Sequence, residues 1–212
     1  MIKILLVDDH AIVREGYRGL ISKQSDLQLV AEADNGNQAY ELFKEFNPDV
    51  IVTDISLPTI SGLELITRIK QRCNHAKILV FSMHQNSNFA FQATRAGALG
   101  YVTKSSSPAL LLQGIRQVYA GRYFLSPDIA QMLALEKVSG ERLALESLTT
   151  REFEILRLLV EAKNTQEIAN ILNVSPKTVC NCHYQIKSKL GVSNDIELTK
   201  LAIKLNVTNM AM

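Results

Sequence analysis

The sequence contains few cysteines, few prolines and no long apolar runs, and each of these absences argues against a class of protein. Its three cysteines in 212 residues, an odd number, argue against a disulfide framework and favour a reduced, cytoplasmic setting. Five prolines beside 47% hydrophobic residues argue against a disordered chain. The apolar run at residues 4–7 ends in two aspartates, so we expect no signal peptide. Apolar runs stay short of the roughly 18 to 20 residues that span a bilayer, and we expect a cytoplasmic protein without a membrane partner.

Short apolar runs alternate with amphipathic segments over the first 120 residues. Between the runs, segments of about ten to twelve residues carry apolar side chains at helical spacing. Strands that alternate with helices form βαβ units, whereas all-helical packing would not explain short, β-branched runs. The pattern therefore predicts an α/β fold, with a doubly wound, five-stranded parallel sheet covered by helices on both faces. The predicted strands lie around residues 4–7, 29–31, 50–52, 78–81 and 99–102.

The pattern changes twice after residue 120. Residues 121–147 break the alternation and have the pattern of a linker, in which Ser126 and Pro127 open one short helix. From residue 148 onward the pattern is helical. We therefore predict an α/β domain over residues 1–120, a linker over 121–147 and an all-α helix-turn-helix domain over 148–212.

Start and stop patterns delimit the predicted helices of the last part. Thr149 and Glu152 match a capping box at the start of a first helix. Ser175 and Pro176 start a longer helix, and Gly191 is placed to end it. A short helix, a turn of about three residues and this longer helix together form a helix-turn-helix, a motif whose second helix enters the major groove of DNA.

Polar side chains stand at the carboxyl ends of four predicted strands. Asp8 and Asp9 follow the first strand, Asp54 the third, Ser82 the fourth and Lys104 the fifth. Singly, each is explained as a strand-end cap or turn residue, but at the edge where parallel strands end they predict a shared site. Converging carboxylates need a compensating cation, and Mg²⁺ suits a site with few carboxylates and a phosphate still to arrive. Because a carboxylate can attack phosphorus, we expect an aspartyl phosphate contacted by the lysine and the hydroxyl.

These residues carry a resemblance to a known family. The strand-end pattern resembles the receiver domain of two-component response regulators; it consists of Asp8 and Asp9, Asp54 with Pro58 and Gly62, Ser82, and residues 100–104. Residues 148–202 are similar to the LuxR/NarL (FixJ) type of DNA-binding domain, and within it to the GacA/UvrY-type global regulators. The resemblance implies a flavodoxin-like receiver in a phosphorylation-gated transcription factor. Such a protein is not an enzyme beyond its own phosphorylation and dephosphorylation.

The resemblance assigns a phosphoacceptor and a set of metal ligands. It implies that Asp54 accepts a phosphoryl group from a sensor histidine kinase. It implies that Asp9 and Asp54 bind Mg²⁺ directly and that Asp8 binds it through water. The backbone carbonyl of Ser56 completes the implied protein ligands.

The resemblance also assigns a switch. It implies that Lys104 contacts the phosphate, and that Ser82 and Tyr101 are the switch pair. In such a pair the hydroxyl moves toward the phosphate and the aromatic ring turns inward behind it. A phosphate carries nearly two negative charges, enough to bias a bistable loop.

The helix predicted over residues 176–190 has the charge of a groove-binding element. It holds three lysines, one histidine and no acidic residue, although a solvated basic helix would have the same composition. On a helical wheel one stripe is apolar and packs inward, while the opposite stripe faces outward. The resemblance implies that the outward stripe enters the major groove of double-stranded DNA and that the active protein is a homodimer. The implied DNA-binding residues are Lys177, Thr178, Cys180, Asn181, Tyr184, Lys187 and Lys189.

The stretch Cys-Asn-Cys-His at residues 180–183 raises the alternative of a metal or redox site. In a helix, Cys180 and Cys182 lie about 200° apart and cannot chelate one ion. We expect Cys182 to act as a small core residue and Cys180 to face outward.

Two other functions fit parts of the sequence. A phosphohydrolase would use Asp54 in a covalent cycle, but Ser56 stands where such an enzyme needs a second acid, and no substrate-cap insertion follows. A protein-interaction module whose helical end no longer binds DNA is the third possibility.

Overall fold

The computed structural model describes residues 1–139, 145–205 and 207. The described chain forms two compact units. The first consists of Met1–Gln85 and Ala93–Gln131, and the second of Asn86–Gln92 and the described residues from Met132 onward. Gly140, which with Ser139 has the sequence pattern of a turn, lies outside the described residues. The domain boundaries at residues 120 and 148 remain predictions.

The first unit is built on a parallel sheet. Its strands are β1 (Ile2–Val7), β2 (Leu27–Ala33), β3 (Val50–Thr53), β4 (Ile78–Ser82), β5 (Gly100–Thr103) and β6 (Phe124–Leu125). The helices between them are α1 (Ala11–Ser22), α2 (Gly36–Phe46), α3 (Gly62–Arg72), α4 (Ser87–Ala96) and α5 (Pro108–Tyr119). The strand order is β2-β1-β3-β4-β5-β6, with every pairing parallel. The predicted fold class is therefore confirmed.

The central strands are buried because helices cover both faces of the sheet. Alternate residues such as Ile4 and Val52 pack in one core with side chains of α1 and α5. The intervening residues Leu5 and Ile51 point to the opposite face and are equally buried. A strand buried on both faces needs a continuous apolar run, which is why these strands show no alternation in the sequence.

The predicted number of five strands is wrong, because the described part of the chain contains a sixth. Phe124 and Leu125 of β6 pair with β5 inside the segment predicted to be a linker. The amide of Phe124 donates to the carbonyl of Leu99 at 3.0 Å. Two residues are too few to show a sequence period, so only the tertiary pairing defines this strand. The short helix predicted after it is α6 (Pro127–Ser139), which is longer than expected.

The second unit contains α7 (Thr150–Val160), α8 (Thr165–Leu172), α9 (Pro176–Leu190) and α10 (Asp195–Lys204). The predicted capping box is confirmed, since the side chain of Thr149 accepts from the Glu152 amide and Glu152 accepts from the Thr149 amide. Ser175 caps α9, which ends at Gly191 with φ 67°. α8, the turn after it and α9 form the predicted helix-turn-helix.

The first half of α4 packs within this second unit. The rings of Phe89 and Phe153 meet edge to face, with centroids 5.0 Å apart. The buried Gln92 amide donates to the carbonyls of Leu145 and Leu148, each at 3.3 Å. These bonds satisfy backbone acceptors just before α7, where buried carbonyls would otherwise lack partners.

An ion pair ties α9 to the start of α7. The Lys189 ammonium lies 2.8 and 2.6 Å from the two carboxylate oxygens of Glu152. Burial disfavours the Glu152 carboxylate, but hydrogen bonds from Lys189 and Thr149 outweigh the burial and lower its pKa. A group whose native pKa is lowered stabilises the fold above its usual pKa and loses that contribution as the pH falls through the native value.

We predict that Glu152→Gln lowers the free energy of unfolding at neutral pH by about 2 kcal/mol, because the amide still caps α7 but no longer neutralises Lys189. Urea denaturation followed by circular dichroism measures the loss. Glu167→Gln is the matched control, because Glu167 completes a capping box with Asn164 on α8 in an exposed position. The control should change stability by less than about 0.5 kcal/mol. Equal effects of the two variants, or a loss that does not shrink at acidic pH, would contradict the role of the ion pair.

Candidate functional site

The carboxyl ends of the strands gather the predicted polar residues of the first unit. Asp8 and Asp9 follow β1, which lies between β2 and β3, at the point where the strand order switches direction. Asp54 follows β3, and its amide donates to the carbonyl of Val7 at 2.9 Å. Ser82 is the last residue of β4, and its carbonyl accepts from the Lys104 amide at 2.8 Å. Backbone pairing thus places the four strand ends side by side.

The Lys104 ammonium lies between two buried carboxylates. Its Nζ is 2.6 Å from Oδ2 of Asp8 and 2.6 Å from Oδ2 of Asp54. The side chains of all three residues are at most 6% exposed. Burial alone would lower the pKa of Lys104, but the charges and hydrogen bonds of Asp54 and Asp8 outweigh it and raise that pKa. The ammonium is therefore charged and compensates part of the carboxylate repulsion.

The backbone around Asp54 holds its carboxylate in place. Oδ1 accepts from the amides of Ile55 and Ser56 at 2.6 and 3.4 Å, which leaves Oδ2 facing Lys104. Gly62, the first residue of α3, approaches this loop so closely that a Cβ there would lie 1.9 Å from the Asp54 carbonyl oxygen. Only glycine fits at that position, which explains the Gly62 of the sequence pattern.

Three carboxylates and one imidazole could together hold a metal ion. Asp8, Asp9, His10 and Asp54 each offer a ligand atom, and these atoms lie within 4.8 Å of one another. His10 Nδ1 is 2.8 Å from the Asp9 carboxylate and 3.3 Å from that of Asp8. The three carboxylates fit a hard divalent cation, which prefers oxygen ligands. His10 was not predicted as a ligand, although it directly follows the two aspartates.

The predicted switch residues meet at the backbone of His84. Tyr101 is fully buried, and its hydroxyl donates to the His84 carbonyl at 2.8 Å. The His84 amide is directed at the Ser82 hydroxyl, 3.4 Å away. The imidazole Nε2 lies 3.0 Å from the hydroxyl of Ser56, so the same residue also reaches the loop after β3. Burial, helped by the charge of Asp54, raises the pKa of Tyr101, which therefore stays a donor. The role of His84 was not predicted.

The predicted outward stripe of α9 is exposed, and the apolar stripe is turned inward. Val179 and Ile186 are buried, whereas Tyr184 is 75% exposed. Five other residues of the predicted DNA-binding set are also exposed, namely Lys177, Thr178, Cys180, Asn181 and Lys189, whereas Lys187 is half-buried. The Thr178 amide donates to the Ser175 hydroxyl at 3.1 Å, which fixes the first turn of the helix.

Two lysines of the predicted DNA-binding set already have acidic partners. Lys189 pairs with Glu152, as described above, and the Lys187 ammonium lies 2.9 Å from Asp195 at the start of α10. His183 Nε2 is also 2.9 Å from the same Asp195 oxygen. The hydrogen bond from Lys187, together with the nearby imidazole, lowers the pKa of Asp195. These pairs join α9 to the starts of α7 and α10.

The cysteines of α9 point in different directions, as the helical wheel predicted. Cys180 is exposed and Cys182 is half-buried. Burial raises the pKa of the Cys182 thiol, which disfavours the thiolate that metals and oxidants require. The metal-ligand cluster found within the described ranges includes neither cysteine.

Both the α/β part and the helical part of the chain match known protein families. Residues 4–116 match the response regulator receiver domain, and residues 146–202 match the bacterial regulatory proteins of the luxR family. The chain is a LuxR-type two-component response regulator. It is 36% identical to the response regulator UvrY of Escherichia coli (strain K12) over 211 residues, 99% of this chain and 97% of that protein. It is also 36% identical to the response regulator GacA of Pseudomonas aeruginosa over 213 residues, the full length of both.

Solved structures of similar regulators cover nearly the whole response regulator. RcsB of Salmonella typhimurium aligns with a TM-score of 0.77 and 27% identity over 96% of this chain and 98% of that one. RcsB bound to the promoter rprA in the presence of phosphomimetic BeF3⁻ aligns with a TM-score of 0.75 and 26% identity, over 94% and 96% of the two chains. The predicted resemblance to GacA/UvrY-like transcriptional regulators is thus confirmed, and the response regulator is not a classical enzyme.

In the described parts of the response regulator, no helix combines the length and the apolar character that a lipid bilayer crossing requires.

We predict that Gly62→Ala lowers the free energy of unfolding by about 2 kcal/mol or more, because the added methyl group displaces the backbone of Asp54. Urea denaturation measures the loss. Gly19→Ala in α1 is the control, because a Cβ there meets nothing within 4 Å and alanine favours a helix by roughly 0.5–1 kcal/mol. A Gly62→Ala protein as stable as the Gly19→Ala protein would show that the close approach to Asp54 does not exist.

Proposed function

We propose that Asp54 accepts a phosphoryl group from a sensor histidine kinase and that phosphorylation switches DNA binding by α9. The observation that carries this proposal is the position of the Lys104 ammonium, 2.6 Å from each of the Asp8 and Asp54 carboxylates. A buried lysine at an acidic site compensates carboxylates before the reaction and can contact phosphate oxygens after it.

Mg²⁺ is the proposed cofactor. Asp8, Asp9 and Asp54, with the backbone carbonyl of Ser56, would hold it. The support is the clustering of the three carboxylates at one edge of the sheet. When bound, the metal ion would neutralise charge on the incoming phosphoryl group.

In the proposed reaction, the protein's own residues supply the nucleophile, orient it and respond to the phosphate. The Asp54 carboxylate attacks phosphorus, and the leaving group departs with the electron pair of the broken bond. Two backbone amides fix the Asp54 oxygen that does not face Lys104, so the carboxylate is oriented before the reaction. The Ser82 hydroxyl then contacts a phosphate oxygen, and Tyr101 stays inward behind it. Because both residues meet the His84 backbone, the loop before α4 is the element that the phosphate biases.

The proposed DNA-binding surface is the outward stripe of α9. Cys180, Asn181 and Tyr184 would approach base edges, while Lys177 would contact a phosphate. Lys187, Lys189 and Thr178 belong to the same proposed surface, although the two lysines also hold acidic partners. We further propose a homodimer in the active state, a cytoplasmic location and no catalytic activity beyond self-phosphorylation and self-dephosphorylation. The proposed domain limits are residues 1–120, 121–147 and 148–212.

We predict that Asp54→Asn abolishes phosphorylation by acetyl phosphate and Mg²⁺, because the amide is not a nucleophile. Phosphate-affinity electrophoresis and peptide mapping measure the incorporation. Asp34→Asn is the control, because Asp34 is an exposed aspartate at the end of β2 that lies outside the carboxylate cluster. The control should be phosphorylated at the wild-type rate. Incorporation into Asp54→Asn at the wild-type level would show that the phosphoacceptor is wrong.

We predict that Lys177→Ala weakens the salt dependence of DNA binding, because one phosphate contact is lost. The slope of log binding constant against log salt concentration should become less steep by about one unit. Fluorescence polarisation with a duplex of random sequence at several salt concentrations measures the slope. Lys200→Ala on α10 removes the same charge from an exposed position outside α9 and should leave the slope unchanged. Identical slopes for the two variants would place the DNA elsewhere.

A further inference from the structure

The start of the linker is hydrogen-bonded to the strand that carries the switch tyrosine. The amide of Ser126 donates to the carbonyl of Tyr101 at 2.9 Å, and Ser126 is fully buried. The carbonyl of Ser126 accepts from the amide of Ala130 at 3.0 Å, so the same residue begins α6. The first turn of α6 is therefore held by the backbone of β5.

A side-chain bond adds a second attachment at the end of the same strand. The hydroxyl of Thr103, which is fully buried and precedes Lys104, donates to Oδ2 of Asp128 at 2.9 Å. Asp128 is the second residue of α6. Residues 25 apart in sequence thus join the carboxyl end of β5 to the linker helix.

The bond from Thr103 to Asp128 is the last in a series of side-chain hydrogen bonds that begins in the loop after β4. The Gln85 amide donates to the Ser105 hydroxyl at 2.8 Å, and Ser105 donates to the Thr103 hydroxyl at 3.2 Å. The Ser106 hydroxyl also lies 2.9 Å from that of Thr103. Because Asp128 accepts the Thr103 proton, the neighbouring hydroxyls must donate toward Thr103, and the chain has one direction. It therefore connects the loop that follows Ser82, the loop that follows Lys104 and the first turn of α6.

The Asp128 carboxylate stays ionised in this position. Burial disfavours the charge, but the Ser126 and Thr103 hydroxyls and the backbone amides of Asp128 and Ile129 outweigh it and lower the pKa of Asp128. Of these contacts, the one from the Thr103 hydroxyl to Oδ2, at 2.9 Å, has the distance and angle of a hydrogen bond. Oδ1 of Asp128 and the Ser126 hydroxyl are both buried and make no well-formed bond within the described residues.

We propose that Asp128 is a positioning residue of the phosphorylation switch, and that its bond from Thr103 transmits the state of the phosphoacceptor site to the linker helix α6. The proposal rests on the proposed function, in which phosphorylation of Asp54 alters DNA binding. Lys104 directly follows Thr103, and in this proposal the transfer of the ammonium from the carboxylates to a phosphoryl group displaces the backbone beside the Thr103 hydroxyl. That displacement reaches α6 through the bond to Asp128.

The test compares Thr103→Val, which removes the hydroxyl, with Thr103→Ser, which keeps it. Asp128→Ala removes the acceptor, and the double variant Thr103→Val/Asp128→Ala completes the cycle. Ser106→Ala is the control, because Ser106 contacts Thr103 but not α6 among the contacts described above. Each full-length protein is treated with acetyl phosphate and Mg²⁺. Three quantities are then measured: the phosphorylation rate, the change in amide hydrogen exchange over residues 124–131 on phosphorylation, and the gain in affinity for genomic DNA fragments.

We expect all variants to be phosphorylated within about twofold of the wild-type rate. Phosphorylation should change hydrogen exchange over residues 124–131 in the wild type, in Thr103→Ser and in Ser106→Ala. This change should be lost in Thr103→Val and Asp128→Ala. The phosphorylation-dependent gain in DNA affinity should fall about fivefold in each of these two, with no further loss in the double variant.

The proposal would be overturned if phosphorylated Thr103→Val or Asp128→Ala behaved like the wild type. In that case hydrogen exchange over residues 124–131 would still change, and the full gain in DNA affinity would remain. Failure of the proposed function has a different signature. If Asp54 is phosphorylated but the wild-type protein gains no DNA affinity, the gating of DNA binding is wrong, and the exchange change over residues 124–131 still decides whether the bond transmits. If Thr103→Val or Asp128→Ala fails to fold, the remaining one of the two is compared with Thr103→Ser. The same differences in hydrogen exchange and DNA affinity then decide whether the bond transmits.

Discussion

The Lys104 ammonium between the carboxylates of Asp8 and Asp54 is the interaction on which the site depends. Parallel pairing forces the ends of β1 and β3 together, and with them two buried negative charges that would repel each other in a medium of low dielectric constant. The lysine arrives from β5, two strands away from β3, and compensates that charge while its own pKa is raised. One ion cluster thus fixes the relative positions of three strand ends. The clustered carboxylates of Asp8, Asp9 and Asp54 remain compatible with a metal ion.

The strand that ends just before this lysine also carries two residues with long-range contacts. Tyr101 in β5 contacts the loop before α4, and Thr103 contacts the first turn of α6. Lys104 follows at once and contacts Asp54. A displacement at the end of β5 would therefore reach three elements, namely the loop before α4, the first turn of α6 and the loop after β3. The short strand β6 strengthens this arrangement by pairing along β5.

Local patterns in the sequence were enough for most of the architecture and for the predicted site. Continuous apolar runs indicated buried parallel strands, and the capping box at Thr149 and the glycine at residue 191 delimited helices, since each depends on neighbouring residues only. The contributions of His84 and Asp128 were not predictable in this way. Each depends on a hydrogen bond to a residue more than twenty positions away, and neither side chain belongs to a local motif. The strand β6 was missed for the same reason.

The affinity for Mg²⁺ in the absence of a phosphoryl donor tests the central claim most directly, when wild-type protein is compared with Lys104→Met by isothermal titration calorimetry. If the ammonium compensates the carboxylates of Asp8 and Asp54, its removal leaves two buried charges that a divalent cation relieves, and the dissociation constant for Mg²⁺ should fall by about tenfold. An unchanged or weaker affinity in Lys104→Met would contradict the claim, because it would show that lysine and metal ion do not compensate the same charges.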